Sequence, residues 1–192
     1  MGNLVSCFQR LIHPDWLLER NGGEWLLRES QAGADQHGLL RISGGPSLAF
    51  SLDKPGADPW PFMKAEQLPG IRKVSDALVL LEKAGQTYVF AIEMKSDNES
   101  KALRQIHNAR LFTHWVLGLL QSHRHWQGDY GFCGIISFAP RRQERRGVTS
   151  RAAALPKPTQ SHGYPVFRLH NHPRLNLMDV LESLAGASDV RP

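Results

Sequence analysis

The sequence predicts an α/β protein with a mixed central β-sheet flanked by helices. Residues 74–81 and 87–94 are β-branched, aromatic and apolar, as expected of buried strands. A long helix is predicted over about 98–121, and a further apolar strand follows at 132–138. The 192 residues suit one domain with its own hydrophobic core. We therefore expect residues 1–192 to form a single domain with the element order α, β, β, β, β, α, β, β, α.

The first 30 residues carry apolar side chains at roughly helical spacing. Pro14 is suited to begin a helix, and the Asn-Gly-Gly step at 21–23 is suited to end it. Residues 38–52 read as two short strands around a Gly-Gly-Pro turn. Residues 53–72 are rich in proline and glycine, and a loop of this length indicates a binding loop or a segment draped over a site.

The long helix follows Ser96 and Glu99, which form a capping-box pattern. A strand at about 164–169 and a helix at about 176–185 end the prediction. The second half of the long helix is apolar nearly all round, so we expect it to be buried. Its apolar residues are Leu111, Phe112, Trp115, Val116, Leu117, Leu119 and Leu120.

The formal net charge is +5 with nine histidines uncounted, which favours an anionic partner. Most of the excess lies in residues 141–151, which hold five arginines and one glutamate. Two interpretations stay open for this stretch. It is either a solvated loop or a loop whose forked guanidinium donors contact nucleic-acid phosphates. The candidate phosphate-binding residues are Arg141, Arg142, Arg145 and Arg146.

The two cysteines, Cys7 and Cys133, are too few for a disulfide framework, and a reducing, cytoplasmic location is the simpler interpretation. No apolar run reaches the roughly 18 residues that a membrane span needs, so we expect no membrane partner. The histidines, such as His170 and His172, lack the spacing of a closed zinc site. The tryptophans and Phe62 fit core or loop anchors better than base-stacking platforms.

Strands 74–81 and 87–94 form a hairpin whose register can be derived. If Ala84 and Gly85 centre the turn, the numbers of paired residues add to 169, the sum of 84 and 85. Asp76 then lies opposite Glu93, with Cβ atoms about 4.5–5.5 Å apart. Lys95 is two residues past Glu93 and points to the same face. A slip of one residue would separate the two carboxylates.

Two carboxylates side by side in an apolar hairpin repel each other and resist the loss of water. A divalent cation removes this conflict, because Mg²⁺ takes carboxylate oxygens, keeps several waters and accepts phosphate oxygens from a substrate. The ion can also activate a water molecule as a nucleophile. Lys95 would then hold that water or the phosphate. The plainer alternative is that Asp76 starts its strand at the solvent edge, and Glu93 and Lys95 form a surface pair.

Asp76, followed by 93–95 (Glu-Met-Lys) at the end of the next strand and then by a capped helix, resembles the PD-(D/E)XK nuclease superfamily. The resemblance covers roughly residues 73–116, and Ser75 stands where the proline of the family name would be. It implies a restriction-endonuclease-like αβββαβ core. It also implies dependence on Mg²⁺ or Mn²⁺ and hydrolysis of phosphodiester bonds.

The resemblance also implies roles for individual residues. Carried over by position, Asp76 and Glu93 become metal ligands, the Met94 carbonyl a possible third ligand, and Lys95 the catalytic lysine. Gln105, which with Ala109 resembles the Q-x-x-x-A element of several branches, becomes a residue that lines the site. A glutamate from the first helix often joins such sites, and the candidates are Glu19, then Glu29, with Glu66 in the loop before the hairpin as another.

These patterns predict a metal-dependent nuclease that acts on DNA. Two other functions stay open: a catalytically silent nuclease-fold subunit that binds nucleic acid, and a protein–protein adaptor whose arginine loop meets an acidic partner. A homodimer or a partner protein is compatible with any of them.

Overall fold

The computed structural model describes residues 3–29, 38–64, 67–95, 99–138, 154–170 and 172–188. Within these ranges the chain is a mixed α/β protein with two mixed sheets, which confirms the predicted class. The helices are α1 (Leu4–Leu11), α2 (Glu99–Ser122) and α3 (Leu177–Ser188), with a 3₁₀ turn at Pro14–Trp16. The strands are β1 (Glu19–Asn21), β2 (Glu24–Arg28), β3 (Leu39–Ser43), β4 (Ser47–Phe50), β5 (Ala77–Lys83), β6 (Gln86–Lys95), β7 (Tyr130–Phe138), β8 (Thr159–Ser161), β9 (Tyr164–His170) and β10 (Arg174–Asn176).

The larger sheet has six strands in the order β4-β5-β6-β7-β9-β8. β4, β5 and β6 are antiparallel to one another, whereas β7 pairs parallel with both β6 and β9. The parallel step from β6 to β7 needs a long crossover, and α2 provides it. The end of β6 and the start of α2 therefore lie at the same edge of this sheet.

The smaller sheet has the order β1-β2-β3-β10, and β10 runs parallel to β3. The two strands predicted within 38–52 both form, but β3 belongs to the smaller sheet and β4 to the larger one. Gly44 joins them at φ +144°, and a Cβ built on it would lie 2.9 Å from the Cβ of Leu177. The glycine thus allows the chain to pass tightly against the start of α3 as it changes sheets.

Alternation along β5 separates two apolar cores. Leu78 and Leu80 pack in a core with α1 and α2, whereas Val79 and Leu81 pack in a core with the smaller sheet and α3. The larger sheet is therefore the middle of three layers, which explains why β5 and β6 are apolar on both faces. Full burial of one such side chain stabilises the fold by roughly 1.5–3 kcal/mol.

The predicted helix starting at Pro14 is wrong. α1 ends at Leu11, Pro14 opens only a single 3₁₀ turn, and the glycines expected to end the helix form the β1–β2 turn instead. Gly22 and Gly23 have φ values of +56° and +86°, which a tight hairpin turn requires at both central positions. The strands β1, β2, β8 and β10 were missed because most of them span only three residues.

The expected burial of the second half of α2 is only partly correct. Val116, Leu117 and Leu120 are buried against the sheet, but Leu111 and Trp115 are each 55% exposed. The physical reason is that α2 covers the sheet with one face and carries apolar residues on the other face too. Among the described helices, none is long and apolar enough to cross a membrane. Both cysteines are buried free thiols.

Candidate active site

The β5–β6 hairpin has the derived register. Leu81 pairs with Tyr88, and the ladder runs from the pair beside the turn to Ala77 opposite Ile92, with every pair adding to 169. Ala84 and Gly85 form the two-residue turn with φ values of 50° and 77°. Positive φ at both positions matches the right-handed twist of the strands and holds this register.

Beyond the last ladder pair, the carboxylates of Asp76 and Glu93 continue the connection between the two strands. The amide N–H of Asp76 donates to Glu93 Oε2 at 3.1 Å. The amide N–H of Met94 donates to Asp76 Oδ2 at 2.6 Å. Each carboxylate therefore binds the main chain of the opposite strand, so the predicted opposition is present and both side chains are held in place.

Glu93 is the most deeply placed acid of the site. Its side chain is 0% exposed, and Oε1 lies 2.5 Å from Nζ of Lys95. This contact is an ion pair, and Oε1 accepts no hydrogen bond of good geometry from the described residues. The side chain of Lys95 is 21% exposed and so reaches from the buried acid toward solvent. Lys95 and Glu93 share a face, as their two-residue spacing predicts.

Burial raises the pKa of Asp76 to about 6 from an ordinary value of 3.8. The Met94 hydrogen bond and the charge of Lys95 act against this shift, whereas the negative charges of Asp53 and Glu29 reinforce it. The last two effects show that Asp76 lies within electrostatic reach of acids from two other segments.

Burial, followed by the neighbouring Asp76 charge, raises the pKa of Glu93 to about 8 from 4.5, against the close contact with the Lys95 ammonium and its charge. Burial would lower the pKa of Lys95, but the contact with Glu93 and the nearby carboxylates raise it overall. A proton on Glu93 therefore relieves the repulsion between the acids at neutral pH. A divalent cation would favour the ionised form of both.

A cleft of about 330 Å³ opens beside Asp76. It lies where the segment before β1, the end of β2 and the chain after β4 meet. Its acidic lining residues are Asp15, Glu19, Glu29, Asp53 and Asp76. The half-buried Asp76 thus links the buried Glu93 to a solvent-accessible space large enough for part of a substrate.

Glu19, the first candidate for an extra acid, lies on strand β1 and not on a helix, so that part of the prediction is wrong. It lines the cleft, but its side chain is exposed and ion-paired with Arg28 at 3.3 Å. Glu29, directly after β2, is half-buried and acts electrostatically on Asp76. Glu29 is therefore the better candidate, and Glu66 lies outside the described residues.

Asp53 is a site residue that the sequence analysis did not single out. It lines the cleft, raises the pKa of Asp76, and pairs with Lys73 at 3.6 Å between Oδ1 and Nζ. The signal that could have found it is its position at the start of the proline- and glycine-rich loop 53–72, which was expected to drape over a site.

Gln105 does not line the carboxylate pair through any contact that the structure records. Its Nε2 donates to the carbonyl of Val74 at 3.2 Å, two residues before Asp76. Asn108, one turn further along α2, donates to the carbonyls of Gly70 and Lys73 at 3.2 and 2.7 Å. Together these amides fasten the approach to Asp76 onto α2, so we interpret both as positioning residues.

The remaining predicted residues divide into two groups. Met94 places its main chain in the site through its bond to Asp76, while its side chain packs in the core under the sheet. The arginines predicted to contact phosphate lie outside the described residues: Arg141, Arg142, Arg145 and Arg146.

The donor set of the site fits a hard divalent ion bound with open positions. Among the described residues, no group of three or more His, Cys, Asp or Glu side chains is placed to hold a metal ion. Mg²⁺, however, usually binds through one or two carboxylates and keeps waters and substrate oxygens as its other ligands. Asp76 and Glu93 provide such a pair, and Glu93 Oε1 lacks a well-directed hydrogen bond.

We compared the chain with models of protein families, with curated proteins and with solved structures, and none of the three comparisons found a match.

Proposed function

We propose that this protein is a metal-dependent nuclease that hydrolyses phosphodiester bonds in DNA. The observation that carries the proposal is the arrangement of Asp76, Glu93 and Lys95 at the edge of a cleft. A buried acid, Glu93, beside a half-buried one, Asp76, both with raised pKa values and with an adjacent lysine, is costly as pure structure, and this combination is typical of a catalytic site.

Asp76 and Glu93 would hold Mg²⁺ or Mn²⁺. When bound, the ion would supply a nucleophile and neutralise charge on the phosphate. Lys95 contacts Glu93, and its partly exposed side chain can meet a phosphate oxygen that arrives from solvent. Because the pKa of Glu93 is raised to about 8, a metal ion must compete with a proton for this carboxyl group at neutral pH.

The element order around the site also supports the proposal. α1, β4, β5, β6, α2 and β7 follow the αβββαβ order that the family resemblance implies, with β1–β3 inserted after α1. The carboxylates lie where β5 begins and β6 ends, and α2 follows directly.

The charge of the cleft makes a strict prediction about cofactor dependence. The cleft is lined by five acids, Glu29 and Asp53 among them, and by two basic residues, Arg28 and Lys54, so its excess of acids would repel a phosphodiester that approached without a cation. The overall charge of +5 favours nucleic acid as the anionic partner. DNA is therefore expected to be cut only when a divalent ion is present.

The experiment is to incubate the purified protein with plasmid DNA, linear DNA and RNA in Mg²⁺, Mn²⁺ or EDTA. Glu93→Gln and Lys95→Ala should each lower the rate of cleavage by at least about 100-fold, the scale of removing a charged catalytic group. Glu182→Gln, on the exposed side of α3, is the matched control and should cut like the wild type. Metal-dependent cutting that persists unchanged in Glu93→Gln and Lys95→Ala would refute the site.

A nucleic-acid-binding subunit without catalysis is the second candidate, and one observation favours it. The carboxylates are already bound to opposite main chains, and Lys95 already pairs with Glu93, so the site is held together without an ion. This alternative predicts binding to DNA that weakens steeply with salt and no cleavage with any divalent ion.

A further inference from the structure

The outer face of α2 carries an apolar stripe that the described residues leave about half exposed. Leu111, Trp115 and Leu119 lie at intervals of four on one helix face and are 55%, 55% and 46% exposed. A helix that is apolar nearly all round is normally buried on all sides. The sequence of α2 is therefore typical of a helix covered on two sides, whereas the described part of the chain covers only one side.

The stripe continues into the loop 53–72. The ring of Trp60 lies 6.5 Å from that of Trp115 and 6.4 Å from that of Phe62, which is 73% exposed. Trp115 and Phe62 alone expose roughly 250 Å² of aromatic surface. With the two leucines this approaches the roughly 300–600 Å² of the largest apolar patches on monomers, which often mark interaction sites. We call Phe62, Leu111, Trp115, Gly118 and Leu119 the α2 patch.

Gly118 is a second, independent observation. A glycine inside a helix lowers helix stability, so it needs a reason. The described residues supply none, because a Cβ built on Gly118 would meet nothing within 4 Å, and its φ is not positive. Gly118 lies three residues after Trp115 and one before Leu119, on the same exposed face. Close approach of another helix would supply the missing reason.

We propose that the α2 patch is a self-association surface on which the α2 patch of a second copy of this chain packs. Trp115 and Gly118 place a large side chain and a gap one turn apart on the same face. Two copies of α2 can cross antiparallel about a two-fold axis that passes midway between Trp115 and Gly118. Trp115 of each copy then meets Gly118 of the other. The surface is thus complementary to itself, which an isologous dimer requires.

The charge of the surface also suits a second copy. The stretch 111–122 contains no Lys, Arg, Asp or Glu. Two copies of a chain with net charge +5 can therefore meet along this part of α2 without opposing like charges. Depletion of charged residues and enrichment in tryptophan are typical of the centres of dimer interfaces. The proposal does not rest on the nuclease activity proposed above.

The test is the molar mass of the full chain in solution, measured by light scattering and sedimentation from about 1 to 200 µM. The wild type should be a dimer at the upper end of this range. Gly118→Leu and Leu119→Glu should each raise the dimer dissociation constant at least about tenfold, the scale of an interface hot spot. Gly186→Leu in α3 is the matched control, since a Cβ there also meets nothing within 4 Å, and it should remain a dimer.

Three results would overturn the proposal. The first is a wild type that stays monomeric at 200 µM (about the upper limit of the measured range). The second is a dimer that survives both Gly118→Leu and Leu119→Glu, because another surface would then hold it. The third is a monomer whose tryptophan fluorescence is quenched by single-stranded DNA in the wild type and not in Trp115→Ala, since the patch would then stack bases. Circular dichroism melts of each variant establish that it is folded, which is expected because the substituted side chains face open space.

Discussion

Replacing Glu93 by glutamine keeps the shape of the buried side chain and replaces its carboxyl group with an amide that does not ionise. In the folded wild type burial raises the pKa of Glu93 to about 8, while in the unfolded chain it stays near its ordinary 4.5. Between these two values the folded state binds a proton that the unfolded state has released. A group that binds more protons when folded loses stability as pH rises, so the wild type becomes less stable from about pH 4.5 to pH 8.

The magnitude follows from the width of this window. One pKa unit corresponds to about 1.36 kcal/mol, so the interval from 4.5 to about 8 gives a decrease on the order of 5 kcal/mol. Asp76, whose pKa burial raises to about 6, acts in the same direction in the lower part of the window. Glu93→Gln lacks the Glu93 contribution. The two proteins should therefore be about equally stable at pH 5, and the variant should be the more stable one at pH 8.

The assay is thermal unfolding of wild type and Glu93→Gln at pH 5, 6, 7 and 8 in EDTA, with Glu182→Gln as control. Since 1 kcal/mol shifts the melting temperature of a chain this size by about 2–4 °C, a change of about 5 kcal/mol gives an expected difference of about 10–20 °C at pH 8. Adding Mn²⁺ at pH 8 should raise the melting temperature of the wild type and leave that of Glu93→Gln unchanged, because the ion binds the ionised carboxylates. A difference that is the same at every pH, or a wild type that gains stability relative to the variant toward pH 8, would show that Glu93 is ionised in the folded state and refute the reasoning.

Three further perturbations test the frame around the site. Ala84→Gly should raise the free energy of unfolding by about 1 kcal/mol in urea melts, because alanine is strained at φ 50°, and a loss of stability would contradict the turn. Gly134→Ala should lower it by about 1–3 kcal/mol, because the added Cβ would lie 2.9 Å from Cγ2 of Ile106 and push α2 from β7. Asn108→Ala should lower the free energy of unfolding by about 1 kcal/mol, because it removes the hydrogen bonds that hold the loop before Asp76. It should also lower DNA cleavage several-fold at unchanged metal affinity. Cleavage equal to that of the wild type would show that Asn108 is not a positioning residue.

The hairpin could be predicted because the sequence features that determine its register lie within the hairpin itself. Two apolar runs, an Ala-Gly turn and a period of two determine which residues face each other, and the observed pairing of Leu81 with Tyr88 follows from these alone. The opposition of Asp76 and Glu93 then needs no further knowledge of the fold. α2 was predictable for a similar reason, because its length lies within one segment, while Ser96 of the predicted capping pattern lies outside the described residues.

The cleft could not be predicted in the same way. Glu29 and Asp53 approach Asp76 from the end of β2 and from the chain after β4, and nothing in their local sequence encodes that meeting. The N-terminal segment failed for a different reason. Its apolar spacing fits a helix and a pair of strands about equally, and glycines that can end a helix can also turn a hairpin. Tertiary contacts with the smaller sheet decided between them.

The hydrogen bonds of the two carboxylates give them a structural role beside their proposed role in binding a cation. Asp76 and Glu93 each accept a main-chain N–H of the other strand, so removing either acid also removes a link that closes the end of the hairpin. A variant with a shortened side chain loses both the hydrogen-bond acceptor and the charge, so its effect would not separate the structural role from the chemical one. The amide variants Asp76→Asn and Glu93→Gln keep an acceptor oxygen for the same N–H groups and lose the charge that a cation requires. Loss of cleavage in folded amide variants would therefore report on the chemistry of the site and not on the closure of the hairpin.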